Sequence, residues 1–508
     1  MLGEVLIKAD KTWHKGGGFK LKNNIKKVNK EFQIFREIFK EFDQINSSVL
    51  KGLIDNKQLF LKEFPRIKNI LKIHQDYKAI LDNIFHNFNY FIQNFDLIEE
   101  WLLSDDFKER YKKENHPYPS LLDPKKLNDK NEEINYNNIP AELAWEMNLP
   151  LPENYEFVFV SGHCNGASSF MSFLGKCNVN IGWAGWSDGF DRYAFYYNYL
   201  MYYFDGFNAL HVGEVITQVN QNDRKKTFAL IQKKIKIIVC YRDPISILKT
   251  AMNVCIYRNG DIREINLSEY NYAQYLPDSY YAYNKNNISS FDLQSMKNYG
   301  YTQQSILNCF QNNEIIVLDI KKMDPEYAFN TMCDFADDFG FDRPNICDNF
   351  FQSKVSSYSS IIHVVFPITL KITINDYDTS IIINFQSNTA NRNDTLLFFD
   401  KYLYINNILL NIHMLDKVDE VLNDDIKSKI ASHINNFIMI IKIKYQSLEN
   451  NKIIQEDILD YFRKNSQVCN ILKNIIDEEF IYIKQHYPDI VASWKYYQEF
   501  EKICKENK

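Results

Sequence analysis

An arginine stands where a predicted buried strand passes into a helix. The apolar run at residues 235–240 is too short for a helix and predicts a strand, and Arg242 follows it closely. Pro244 then occupies a position that suits proline at the start of a helix, and Thr250 lies two turns along. A guanidinium is costly to bury unless an anion meets it, and it can hold a phosphate through two hydrogen bonds. The alternative is a structural salt bridge from Arg242 to Asp243 or to another acid.

A second candidate anion site follows an earlier predicted strand. The run Phe157-Val-Phe-Val160 leads into a loop of small residues, and a helix is predicted to begin beyond it. Amide groups and the helix dipole make such a helix start suitable for an anion, although the loop lacks the Gly-Lys-Ser/Thr of a Walker A motif. The alternative is a simple helix cap. The loop residues that would contact the anion are Gly162, His163, Gly166, Ser168 and Ser169.

The elements that must position these residues form a predicted α/β core. Short apolar runs alternate with helical patterns over residues 152–345, which favours a parallel sheet. Residues 1–113 are predicted to be a helical N-terminal region, and residues 114–151 a linker or strap. Residues 346–508 are predicted to form a β-hairpin followed by helices to the end of the chain.

Apolar stripes support the assignments at both ends of the chain. Two stripes in the first hundred residues predict a helical hairpin or small bundle, with Pro65 ending or kinking a segment between them. Their members are Val28, Phe32, Phe35, Phe39 and Phe42, then Tyr77, Leu81, Ile84, Phe88, Phe91 and Phe95. A C-terminal helix face is predicted from Ile426, Ile430, Phe437, Ile441 and Tyr445.

Composition restricts the classes of protein that fit. The chain has 508 residues, a net charge of −6 and a pI of about 6.0, which gives no electrostatic case for binding nucleic acid. Nine cysteines without a CxxC pair indicate reduced thiols. The N-terminus lacks the apolar region of a signal peptide, and no apolar stretch approaches the roughly 20 residues that span a bilayer. We therefore expect a cytoplasmic protein without a transmembrane segment; peripheral membrane contact and the oligomeric state stay open.

Three ordered segments over residues 155–345 resemble the sulfotransferase fold, a P-loop-like family. They are the strand–loop–helix at 157–169, IKIIVCYRDPISILKT, and NEIIVLDIKKMDPEYAFNTMCDFADDFGF. The resemblance implies that the first loop binds the 5′-phosphosulfate of 3′-phosphoadenosine 5′-phosphosulfate (PAPS). It also implies that Arg242 and Thr250 bind the 3′-phosphate, with Thr250 in place of a serine.

Two positions determine what activity the resemblance implies. The family's first loop carries a Lys or Arg that offsets charge during sulfuryl transfer, and Asn165 occupies that position here. An amide donates a hydrogen bond but does not offset an anion's charge. The family often has a catalytic His at the end of the strand that precedes the arginine's strand, and His211 matches it, with Glu214 one turn on. His163 is a second candidate. A structural role for His211 stays open.

The whole chain resembles a group of long epsilon-proteobacterial proteins that contain a domain of unknown function. Several are labelled sugar transferases, and some sit with capsule genes and are linked to O-methyl phosphoramidate transfer. NHPYPSLLDP and IPAELAWEMNLPLPENYEFVF carry this resemblance. It implies a sugar hydroxyl as acceptor and a sulfuryl- or phosphoryl-type group as cargo.

The leading hypothesis is a group transferase that acts on a precursor of a capsular or other cell-surface glycan. His211 would be the base, Ser168 or Asn165 would orient the transferred group, and a nucleotide-type donor such as PAPS would bind without a tightly held cofactor or a metal. Basic side chains of residues 224–226 could guide an anion or form a solvated helix face. The alternatives are a catalytically degenerate scaffold and a glycosyltransferase. A glycosyltransferase would be metal-independent, because no DxD metal motif sits at a predicted strand end and the acidic pairs at 105–106 and 337–338 lie in helical patterns.

Overall fold

A computed structural model describes most of the chain. The chain divides into two compact units. The N-terminal unit comprises Met1–Glu153, Gly189–Met201 and Asn220–Lys233. The sheet unit comprises Asn154–Asp188, Tyr202–Val219 and Lys234–Lys508. The described residues are 2–13, 17–41, 47–213, 221–231, 234–254, 264–266, 281–310, 313–352, 355, 365–374, 377–385, 394–405, 408–415 and 423–506.

The N-terminal unit is helical, as its apolar stripes predict. Its helices are α1 (Leu2–Lys11), α2 (Gly17–Glu41), α3 (Ser47–Asp55), α4 (Lys57–Ile73), α5 (Lys78–His86), α6 (Phe88–Gln93), α7 (Phe95–Leu103), α8 (Asp105–Phe107), α9 (Pro124–Leu127), α10 (Ala141–Glu146), α12 (Gly189–Tyr202) and α13 (Gln221–Ala229), with a π-helical turn at Lys108–Lys112 and a 3₁₀ turn at Tyr136–Asn138.

The second apolar stripe forms a core, whereas part of the first does not. Tyr77, Leu81, Ile84, Phe88, Phe91 and Phe95 are all buried. Phe32, by contrast, is 61% exposed, so this member of the first stripe does not lie in a core. Phe42 lies outside the described residues. Pro65 lies inside α4 and does not end the helix.

The sheet unit contains a five-stranded parallel sheet, which confirms the α/β prediction. Its strands are β1 (Phe157–Ser161), β2 (Asn180–Trp183), β3 (Asn208–Gly213), β4 (Lys236–Tyr241) and β6 (Ile315–Asp319), in the order β2-β3-β1-β4-β6. Its helices are α11 (Ala167–Lys176), α14 (Pro244–Met252), α15 (Met296–Tyr299), α16 (Gln303–Leu307) and α17 (Ala328–Phe339), with 3₁₀ turns at Ile288–Ser290, Ile320–Met323 and Asn349–Gln352.

Apolar residues on α11 and α17 cover one face of this sheet. Phe159 of β1 packs against Phe170 of α11, with ring centroids 4.9 Å apart, and Phe170 contacts Phe335 of α17. Strands β1 and β4 are buried almost throughout. Burial of both faces explains why these strands read as continuous apolar runs instead of alternating ones.

A second sheet follows, with the order β5-β7-β8-β10-β9. Its strands are β5 (Glu264–Asn266), β7 (Ile368–Ile374), β8 (Tyr377–Phe385), β9 (Tyr404–Ile405) and β10 (Ile408–Met414). The antiparallel pair β7–β8 confirms the predicted hairpin. The prediction that the chain is helical from there to its end was wrong, because β9 and β10 come before the long helix.

The C-terminal helices are α18 (Thr395–Phe398), α19 (Asp424–Asn450), α20 (Gln455–Lys464), α21 (Ser466–Glu479), α22 (Ile481–His486), α23 (Pro488–Ala492) and α24 (Lys495–Glu506). Ile430, Phe437 and Ile441 of α19 are buried against the second sheet, as the stripe predicts. Within the described ranges, no helix combines the length and the apolar character that crossing a membrane requires.

Candidate functional site

The carboxyl ends of β1 and β4 lie next to each other at one edge of the parallel sheet. These strands pair in parallel, with Phe157 opposite Lys236 and Val160 opposite Val239. The chain leaving β1 connects towards β2 and β3, whereas the chain leaving β4 connects towards β6. Open α/β sheets bind ligands at such a switch point. The loop of residues 162–166 and Arg242 both lie there.

The loop after β1 has a specific backbone shape. Cys164 has φ 67° and Gly166 has φ 93°, so two of its residues adopt the left-handed conformation. A Cβ atom on Gly162 would approach the carbonyl oxygen of Gly300 to 2.1 Å, so the backbone at Gly300 leaves space only for glycine at position 162. The sequence does not reveal this contact, because Gly300 is more than a hundred residues away.

Asn165 holds the loop in this shape. Its side chain is buried, and its Nδ2 donates to the carbonyl oxygen of Gly300 at 3.0 Å. Its backbone N–H donates to the Gly162 carbonyl at 3.3 Å. The side-chain amide is therefore committed to the neighbouring segment.

Some backbone N–H groups where the loop enters α11 donate no described hydrogen bond, whereas others have partners. The N–H of His163 donates to Tyr299, and that of Ser169 donates to Gly166. Among the described hydrogen bonds, none uses the amides of Gly166, Ala167 or Ser168 as a donor. These are first-turn amides of a ten-residue helix, and Ser168 and Ser169 are only half-buried.

Arg242 links the end of β4 to the loop. Its Nη1 donates to the carbonyl oxygen of Cys164 at 2.9 Å and to Thr250 Oγ1 at 3.1 Å. Burial lowers the pKa of the guanidinium. Within the described part of the chain, no hydrogen bond uses Nε or Nη2, and no carboxylate forms an ion pair with this side chain. The predicted neighbours Arg242 and Thr250 therefore do lie together.

Asp243 does not serve as the salt-bridge partner of Arg242. One of its carboxylate oxygens accepts from the N–H groups of Ile245 and Ser246 and caps α14. The other accepts from the N–H groups of Tyr496 and Tyr497 at the start of α24. Burial raises the pKa of Asp243, while these four N–H donors act in the opposite direction.

His211 lies beside the base of the loop but is buried. Its Nε2 is 2.7 Å from Oγ of Ser161, the last residue of β1, and its ring packs against Phe159. His211 is 2% exposed and Ser161 is 1% exposed, so the imidazole is linked to the base of the loop by a buried hydrogen bond. Sequence reasoning missed Ser161, although a polar residue at the end of an apolar strand was a visible signal. Glu214 lies outside the described residues.

Aromatic side chains surround His163. Its ring centroid lies 5.3 Å from that of Trp186 and 5.8 Å from that of Tyr299. Trp186 follows β2 and is 45% exposed. His163 therefore belongs to a ring cluster beside the loop.

The third segment of the sulfotransferase resemblance also reaches the loop. A Cβ atom on Gly166 would meet the side chain of Ile320, which follows β6. Asp319, the last residue of β6, accepts from the N–H of Lys321. Burial raises the pKa of Asp319.

The basic residues at 224–226 belong to the N-terminal unit, on α13. Across the described ranges, no cluster of three or more His, Cys, Asp or Glu side chains is arranged to hold a metal ion. At the switch point, the α11 amides and Arg242 are the groups suited to an anion.

A family model described as "Protein of unknown function (DUF2972)" matches residues 317–507, which is less than half of the chain. The match includes the end of β6, α17, the larger part of the second sheet and the C-terminal helices. It does not reach the loop after β1, His211 or Arg242. None of the curated proteins and none of the solved structures matches this chain.

Proposed function

We propose that the protein is a group transferase that moves a sulfuryl- or phosphoryl-type group from a nucleotide donor to a sugar hydroxyl of a cell-surface glycan precursor. The observation that carries this proposal is the state of Arg242. A half-buried guanidinium at the switch point touches a carbonyl and a hydroxyl but no described carboxylate. Such a charge is expected to meet an anion, and the remaining nitrogens form the fork that matches a phosphate.

The donor's two phosphate groups are assigned to different parts of the site. The amides at the start of α11 and Ser168 bind the group next to the transferred one, where the helix dipole favours negative charge. Arg242 and Thr250 bind the second phosphate. Such a division fits a nucleotide like PAPS, which carries phosphates at both the 5′ and 3′ positions.

Asn165 has a positioning role in this proposal. Its side-chain amide is bound to Gly300, so Ser168 is the better candidate for orienting the transferred group. His211 acts through Ser161: the acceptor hydroxyl gives its proton towards Ser161 Oγ, whose own proton passes to Nε2 of His211. General-base help of this kind typically contributes about 10²–10⁴-fold in rate.

One observation favours a catalytically degenerate scaffold as the second candidate. The loop contains no Lys or Arg, and the residue in that position is fixed to the neighbouring segment. A protein of this kind would bind the nucleotide and not transfer the group.

Calorimetry followed by a transfer assay separates these functions. The wild-type protein is titrated with adenosine 3′,5′-bisphosphate and with a panel of sugar nucleotides. The transferase proposal predicts preferential binding of the bisphosphate and transfer of label from ³⁵S-labelled PAPS, or from a labelled phosphoryl donor, to a sugar acceptor. Binding without transfer supports the scaffold, whereas preference for a sugar nucleotide supports a glycosyltransferase.

A further inference from the structure

The N-terminal unit contains a cavity that the proposed transfer reaction does not use. Its volume is about 1030 Å³. Residues of α3, α5, α10 and α13 and of the segment 115–118 line it, among them Lys51, Lys78, His86, Glu146 and Lys226.

Lys226 packs against an aromatic ring at this cavity. Its Nζ lies 4.3 Å from the ring centroid of Trp145, and the side chain is half-buried. Trp145 packs in turn against Phe190 and Tyr193, with centroid distances of 5.9 and 5.3 Å. The amine therefore lies over a packed aromatic ring at the edge of the cavity.

Burial at this position lowers the pKa of the Lys226 amine. Burial lowers its pKa to about 8, although the nearby carboxylates of Glu146 on α10 and Asp223 on α13 act to raise it. About one-fifth of such amines are neutral near pH 7.4, against roughly one in a thousand for an ordinary lysine. A neutral amine held in a cavity is a nucleophile, and carbonyl compounds are its usual partners.

The charges that line the cavity balance, because three lysines, Lys51, Lys78 and Lys226, are matched by three carboxylates, Asp55, Asp82 and Glu146. Lys78 pairs with Asp82, and the imidazole of His86 lies against the Glu146 carboxylate. Lys51 and Asp55, one turn apart on α3, supply one further charge of each sign. Hydroxyl and amide side chains complete the lining, including Ser47, Asn56, Asn115 and Tyr118. A balanced lining of this kind suits a neutral, hydrogen-bonding molecule better than an anion.

We propose that this cavity binds a small, neutral, hydroxylated aldehyde or ketone, which forms an imine with Lys226. The nitrogen lone pair forms the bond to the carbonyl carbon, and the carbonyl π pair moves to oxygen, which takes up a proton. The nitrogen gives up its proton, and loss of water from the carbinolamine leaves the C=N bond. No oxidant or reductant takes part, and the reaction is independent of the transferase proposal.

Trapping with D-glyceraldehyde and borohydride tests this site. The full-length protein is treated at pH 7.4, borohydride reduces any imine to a stable secondary amine, and peptide mass spectrometry locates it. Lys226 should be labelled at least about tenfold faster than the exposed neighbouring Lys225. The labelling rate should rise with pH to a midpoint near 8.

Matched variants complete the test. Lys226→Arg should lose the label, and Lys225→Arg should keep it. Labelling of Lys226 no faster than of Lys225 in the wild-type protein would overturn the proposal, whether or not the variants fold. Faster labelling by glyoxylate than by glyceraldehyde would overturn the assignment of a neutral ligand.

Discussion

At the scale of single residues, the interpretation of the candidate site depends on the partner of the Arg242 guanidinium. Sequence reasoning singled out Arg242 and Thr250 from a strand end and an eight-residue spacing, and the structure places their side chains in contact. It could not decide between a phosphate and Asp243 as the partner of Arg242. Asp243 binds four backbone N–H groups, two of them from a helix about 250 residues away, and no local pattern encodes that contact.

Thr250 offers a test of the second phosphate position. Thr250→Val removes the hydroxyl with little change in shape, so affinity for adenosine 3′,5′-bisphosphate should fall by roughly 0.5–1.5 kcal/mol, the net value of one hydrogen bond. Thr250→Ser keeps the hydroxyl and should bind like the wild type. Equal affinity of the Val and Ser variants in calorimetry would remove Thr250 from the site.

His211 offers a test of the proton relay. His211→Gln retains a hydrogen-bonding group towards Ser161 but lacks the basic imidazole. In an active transfer assay, turnover should fall by about 10²–10⁴-fold while donor affinity stays nearly unchanged, because the base acts on the acceptor. Ser161→Ala should also lower turnover, because it removes the hydroxyl that links the acceptor to His211. A Gln variant as active as the wild type would assign His211 a structural role.

At the scale of elements, the strands that the sequence revealed were continuous apolar runs, and they include both the buried β1 and β4 and the half-buried edge strand β6. β1, β4 and β6 read as continuous apolar runs, whereas β2 escaped detection because it is a short edge strand containing Asn180 and Gly182. The run over β9 and β10 is apolar enough for either a helix or a strand, and periodicity alone does not separate them.

The shape of the loop after β1 depends on its contact with Gly300. Gly162→Ala places a Cβ atom 2.1 Å from a backbone oxygen, so we expect a loss of a few kcal/mol in the free energy of unfolding. Gly340→Ala is the control: that glycine has φ 83° and open space, and its cost is about 1 kcal/mol of backbone strain. Urea unfolding compares the two variants. A smaller loss for Gly162→Ala than for Gly340→Ala would contradict the described packing.

The helical core of the N-terminal unit contains a pH-sensitive group. His74 is buried, its Nε2 bonds the Leu102 carbonyl, and burial lowers its pKa to about 4. The unfolded chain therefore binds more protons than the folded protein between about pH 4 and 6.5, and stability falls as pH drops through this window.

Replacing His74 should reduce that acid sensitivity. Between pH 6.5 and 4 the wild type should lose up to about 3 kcal/mol more than His74→Gln. Urea midpoints measured across the window decide; parallel curves for wild type and His74→Gln would contradict the prediction.

At the scale of the whole molecule, the parallel sheet brings together the segments that the sequence keeps apart. Residues 162–166 and Arg242 become neighbours because β1 and β4 pair in the parallel sheet that the alternating pattern predicts. The contribution of residues 299–300 to the loop was not predictable, since it depends on long-range packing. The proposed boundaries at 113, 151 and 345 stay predictions, as do the sulfotransferase resemblance and the glycan acceptor.

The central claim is that Arg242 holds an anion at the switch point of the parallel sheet. The most direct measurement is calorimetric titration of wild type, Arg242→Ala and Arg242→Lys with adenosine 3′,5′-bisphosphate, with thermal melting of each free protein. We predict that the Ala variant loses about 1.5–3 kcal/mol of binding free energy, that Lys recovers part of it, and that melting changes less than binding. Unchanged nucleotide affinity in Arg242→Ala, together with a large fall in its melting temperature, would contradict the account.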